Sequence, residues 1–253
     1  QTCALPIFLA DIKRICHKKS FLRTIGIYIG LFCIMMFIYF NPTYTADAYV
    51  AKTTIFLGFF PLFVGLTVFL SVFYDDFKSK SIQVAIGYGL QRHKVVLSKV
   101  IESILLIFAS IFCIGILTLL TPVVLGLALN QAQVIELILS VIVEALRAVG
   151  YICISAIPVF YTQNAVNGTI VYVLLSSRTV MLLATMILGQ ELFVNMIGDM
   201  TKYFYTSQLY SIRSAFLQNG TWDISTMCAA LSVYVVLPVV ISVFSFEKKE
   251  LKF

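Results

Sequence analysis

Charge is scarce in this sequence. Asp, Glu, Lys and Arg make up 12% of its 253 residues, against 60% hydrophobic residues. Soluble domains carry about 25% charged and about 45–50% apolar residues. With a mean hydropathy of +0.97, the chain has more apolar surface than one globular core hides, and it reads as an all-α integral membrane protein. That excludes a soluble enzyme, a disordered tail, a secreted disulfide scaffold and a nucleic-acid-binding domain. Histidine is limited to His17 and His93, both in basic polar stretches without a ligand-like neighbour, so no metal site is expected. Cys3, Cys16, Cys33, Cys113, Cys153 and Cys228 are scattered without CxxC spacing. They exclude a disulfide framework, and the last four read as small buried hydrophobes. A GxxxxGK[ST] phosphate loop, HExxH and GxSxG are all missing, so the chain is not expected to hydrolyse ATP or to be an enzyme.

Long apolar runs are what the sequence does have. Six are long enough to span a bilayer: Thr24–Phe40, Thr53–Phe73, Val100–Leu129, Val134–Tyr161, Ala165–Leu188 and Ile224–Phe244. The third is long enough to tilt or bend, with Pro122 as the bend point. Basic residues divide unevenly between the two sides. One side collects Lys13, Arg14, Lys18, Lys19, Arg23, Lys78, Lys80, Arg92, Lys94, Lys99, Lys248, Lys249 and Lys252; the other has Lys52, Lys202 and Arg213. The positive-inside rule then places both termini and the Tyr74–Lys99 loop in the cytoplasm of a multi-pass protein of the bacterial cell membrane. A long charged lead and five further spans make the first run a signal anchor rather than a cleaved signal peptide. The opening Gln1–Ile7 has no initiator Met and is similar to translated adaptor sequence at an incomplete gene end; it is given no structural or functional weight, and a single domain is expected over residues 8–253.

Three polar segments remain. Phe8–Arg23 sets Phe8, Leu9, Ile12, Ile15 and Leu22 opposite Lys13, Arg14, Lys18 and Lys19, the pattern of a helix lying on an anionic lipid surface, with an ordinary basic flank as the plainer alternative. Gly189–Asp223 mixes Tyr203, Phe204, Tyr205, Tyr210, Phe216 and Trp222 with polar residues, which suits short helices at the outer interface, entering partway. The Tyr74–Lys99 loop carries Gly87 and Gly89 between two amphipathic pieces, Phe77–Ile86 and Leu90–Val100. It is either a force-transmitting helical hairpin or a solvated charged loop.

The loop sequence IGYGLQRHKVVLSK resembles the segment after the second span of ABC-2 type permeases, the membrane subunits of ATP-binding cassette transporters. That family has an acidic residue after span two, then a short helix, a Gly-containing turn with an Arg, and a basic residue opening span three. Asp75 or Asp76, Gly89, Arg92 and Lys99 stand at those places, and the ending FEKKELKF is similar to the family's basic-acidic finish. The likeness covers Phe8 to Phe253 and is nearest to lantibiotic-immunity and peptide-export permeases, which confer resistance to antimicrobial peptides or drugs. One departure is Ser79-Lys80-Ser81 where the family often has Glu followed by Gly-Thr. The resemblance implies a six-span exporter permease with a coupling helix between spans two and three. It also implies a homodimer or heterodimer of permeases, and a separate ATPase subunit that binds the ATP and Mg. Asp75, Asp76, Arg92 and Lys94 are the residues expected to meet that ATPase.

Glu144, Arg147 and Arg178 fall inside spans, where each costs about 2.5–3.5 kcal/mol if it faces lipid. Glu144 and Arg147 are three apart and share a helix face. Two readings stand: a structural clamp between spans four and five or between protomers, or a substrate-contacting or gating cluster. Glu102 and Glu136 lie near span ends and read as interfacial. Beside the ABC-2 reading stand an ion-coupled secondary transporter, with Glu144 as its protonatable group, and an intramembrane enzyme, disfavoured because no second span carries His or Asp.

Overall fold

The computed structural model describes residues 13–15 and 17–250, and within them the chain is helical with no strand. Helix α1 (Lys19–Tyr39), α2 (Ala46–Lys78), α4 (Arg92–Val124), α5 (Gln131–Thr162) and α10 (Ile224–Lys248) are each long and apolar enough to cross a membrane. The short α3 (Ser81–Gly87) lies between α2 and α4. The fifth apolar run is not one straight helix: α6 (Ala165–Ser176) and α7 (Arg178–Leu188) meet at 65°, so the bundle has six spans only if this bent pair is one of them. Ser176-Ser177 stand at the bend, a place where serine pairs break helices, and the Ser177 hydroxyl caps the new helix by accepting from Val180 N. Helices α8 (Glu191–Ile197) and α9 (Tyr205–Asn219) then lead into α10.

Helix ends follow local chemistry. α4 stops where Gly126 takes φ +70 and Leu127 N donates to Pro122 O at 2.8 Å, a Schellman closure. Pro122 therefore sits in the last turn, and the third span runs over Arg92–Val124 rather than Val100–Leu129. α5 opens with a reciprocal capping box between Asn130 and Gln133, both bonds 2.8 Å.

α5 is the centre of the bundle, packing against α2, α4, α6, α9 and α10. Small residues on it make the close approaches that associate helices without a water-driven hydrophobic force. A Cβ on Gly150 would run into the Tyr205 ring, and one on Gly168 of α6 would stand 2.7 Å from Ser155 O. Tyr172 of α6 is fully buried and donates to Pro61 O of α2 at 2.7 Å. α1 and α10 lie outermost, their apolar windows only 22% and 17% buried. Cys33, Cys113 and Cys228 also face outward, and only Cys153 is buried. That corrects the expectation of burial for three of the four and bears it out for Cys153: in a bundle that faces lipid an apolar position need not be an inside position.

The chain's ends and turns sort to two ends. Arg14 reaches Asp76, Arg92 reaches Phe246, and Gln163 donates to Glu250 O at 2.6 Å, so the N-terminal residues, the α2–α4 connection, the α5–α6 link and the end of α10 share one end. Most of the described basic residues lie there. At the other end Gln133 meets Asp47 and Arg213 meets Glu136. Of the proposed interfacial helix Phe8–Arg23, residues 8–12 and 16 lie outside the described residues, and Lys19–Arg23 form the first turn of α1.

Candidate functional site

At the basic end, α2 finishes in Asp75-Asp76 and α4 brings Lys99 back two turns from its start. Asp76 is 3% exposed and accepts from Lys99 at 2.5 Å and from Arg14 at 2.9 Å; Lys99 also reaches Glu102 at 3.0 Å. Two cations thus face two carboxylates, with Lys99 and Glu102 buried. Glu102 is 1% exposed, which corrects its reading as an interfacial residue. Asp75 is the half-buried member of the acidic pair and meets Lys18. Ile82 is buried, and Ile86 and Leu90 pack on the same core, holding α3 beneath the spans.

Arg92 turns inward to the end of the last span. Its guanidinium donates to the carbonyls of Phe246 (3.0 Å), Glu247 (3.2 Å) and Lys249, with the Phe246 ring beneath it. A cation over unpaired C-terminal carbonyls is favourable both as hydrogen bonding and against the helix dipole. His93 adds a 3.2 Å contact to Glu247. Lys94 and Tyr88 project outward. Of the four residues expected to meet a partner, Asp76 and Arg92 are held by contacts within the chain, Asp75 partly so, and Lys94 is open. Beside them a cleft of about 440 Å³ is lined by Tyr74, Phe77, Lys78 and the Thr162–Asn164 turn.

Halfway along α5 lies the second cluster. Arg147 donates to Glu144 at 2.5 Å, and both are 3% exposed. Tyr210 of α9 closes the pair, donating to Glu144 at 2.8 Å and accepting from Arg147 at 2.8 Å. α9 runs antiparallel to α5: Tyr205 donates to Leu146 O at 2.9 Å, Thr206 meets Tyr151, and Arg213 pairs with Glu136 at 3.1 Å. The aromatic segment therefore penetrates to the middle of the bundle. Arg178 is within electrostatic range of Glu144 but outside the triad. It makes a long 3.4 Å bond to Ile55 O and lies over the Phe59 ring. Tyr210 and Arg213 escaped the sequence reading because only their aromatic and interfacial character is local; their partners lie 63 to 77 residues away. Among the described residues no group of His, Cys, Asp and Glu is arranged to hold a metal. Compared with protein-family models, curated proteins and solved structures, the chain matches none of them.

Proposed function

We propose that this chain is the permease subunit of an ATP-driven exporter of the ABC-2 type, with its basic end in the cytoplasm and a separate ATPase subunit docked there. One observation carries the reading. At the basic end the N-terminal residues, the end of α2, the start of α4 and the end of α10 are tied together by Arg14–Asp76, Lys99–Asp76 and Arg92–Phe246, and α3 joins α2 to α4 with Ile82 buried in the same core, so a push on α3 would reach three spans at once. A protein that borrows its motor needs such a rigid receiving surface. The peptide-like substrate class rests on the resemblance alone. A second reading, an ion-coupled transporter, has one feature in its favour: a broken span beside a buried carboxylate, Glu144, is the usual build of such sites.

The test is retention of an ATP-binding cassette ATPase, encoded beside this gene, by the tagged full chain in purified membranes. Lys94→Glu is expected to weaken that retention while leaving thermal stability unchanged, since Lys94 is exposed. Arg92→Glu is a poorer probe because it also uncaps α10. Absence of any co-purifying ATPase, together with transport driven by a proton gradient alone, would overturn the exporter in favour of the second reading.

A further inference from the structure

Away from the basic end, three arginines lie among two carboxylates. Arg147 is neutralised by Glu144 and Arg213 by Glu136. Arg178 has no carboxylate partner among the described residues. It sits at the start of α7, after the twelve residues of α6, about 18 Å along that helix from the basic end. A lone guanidinium there needs an anion.

The surroundings are shaped to receive one. A cleft of about 250 Å³ is lined by Thr54, Ile55, Arg178, Tyr210, Arg213 and Ser214. It offers the Arg178 guanidinium, the Arg213 nitrogens not used on Glu136, and the Thr54 and Ser214 hydroxyls, from three helices, a donor set that fits a carboxylate or phosphate. One turn further along α7 lies a half-open apolar pocket of about 200 Å³, lined among others by Leu174, Val180, Met181, Phe204 and Tyr234. That is larger than the ~150 Å³ apolar cavity that takes up benzene. The two spaces share α7 and α9, with Arg178 three residues from Met181 and Tyr210 one turn from Thr206.

We propose that these spaces together form a binding site for an anionic amphiphile, with a carboxylate or phosphate head on Arg178 and its apolar chain in the adjoining cavity. The 65° bend at Ser177 stands directly beside the site and sends α7 off the α6 axis there. No ATPase is needed for it, so it stands apart from the exporter reading.

The experiment is equilibrium binding to the delipidated full chain in a non-ionic detergent, using dodecyl phosphate, dodecanol and inorganic phosphate as probes. Dodecyl phosphate is expected to bind saturably and at least about tenfold more tightly than either of the others, the weight of a charge-assisted hydrogen bond. Arg178→Gln should reduce its affinity by at least about tenfold, and Arg178→Lys by less. Ala184→Phe, which fills the apolar cavity, should weaken dodecyl phosphate and leave inorganic phosphate unchanged. Should Arg178→Gln fold poorly, the lysine and Ala184 variants carry the test. Equal binding by wild type and the Arg178 variants, or inorganic phosphate binding as tightly as dodecyl phosphate, overturns the proposal.

Discussion

At the basic end Arg14 and Lys99 face Asp76 and Glu102, two charges against two. Between the middle of the bundle and its far end Arg147, Arg178 and Arg213 face Glu136 and Glu144, three against two among the described residues. Both clusters join distant parts of the chain, and both contain carboxylates that are almost fully buried. The balanced one is closed: each cation is placed by a carboxylate, and what it secures is the relative position of α2, α4 and the N-terminal residues. The unbalanced one opens on a cleft through Tyr210 and Arg178. Burial alone does not separate a structural charge from one with work to do; charge balance and access do.

The largest effects should come from breaking either balanced pair. Asp76→Ala removes the carboxylate that Lys99 and Arg14 share, and Glu144→Ala strands Arg147. Each should cost about 3–5 kcal/mol, as removal of one partner from a buried ion pair does. Thermal unfolding and abundance of the full chain in detergent measure this. If either alanine variant were as stable as the wild type, that carboxylate would be solvated and the comparison would fail at that end.

A sharper test compares two cations. Lys99→Leu leaves Asp76 and Glu102 short of a counter-charge and should destabilise strongly. Arg178→Leu removes an uncompensated cation and should leave stability unchanged or raise it by about 1 kcal/mol. Loss of stability with Arg178→Leu of the size seen with Lys99→Leu would show that Arg178 is a structural member of its cluster.

The smallest effect lies outside both clusters, at the exposed cap of α10. The hydroxyls of Thr226 and Ser225, together with the Thr226 N–H, hold Asp223 down to about 2, below its ordinary 3.8. A carboxyl whose folded value is lowered contributes stability that is fully present above its unfolded value and is lost as pH falls through the folded one. Stability should therefore hold above about pH 4 and decline toward pH 2, and Asp223→Asn should flatten that slope slightly. Unfolding midpoints measured across this range check it; an unchanged slope would mean the cap is not formed.

Much of the fold was legible because apolar runs and charges are local signals. The six apolar runs fall on helices, and the basic residues gather at one end as their distribution implies, although the third run reads on through Gly126 to Leu129. Legibility failed where a property depends on a partner far along the chain. Arg92 reads as a loop cation, yet its carbonyl partners lie 154 to 157 residues away. The fifth run reads as one span because no Gly or Pro stands at its bend, and Ser176-Ser177 is a weak breaker in any context. The outward cysteines read as core because hydropathy does not tell lipid from protein interior.

From the sequence alone come the helical class, the five or six apolar crossings, the polar stretches between them, and the pairing of Glu144 with Arg147. All of these rest on contacts within a few turns or on the cost of exposing charge and backbone in an apolar medium. Only the tertiary structure decided that Asp76 and not Asp75 is the buried partner of Lys99, that Tyr210 completes the α5 pair, and that Arg178 is left beside an open cleft. A side chain's charge is carried by its own atoms, but whether that charge is balanced depends on which other helix arrives beside it.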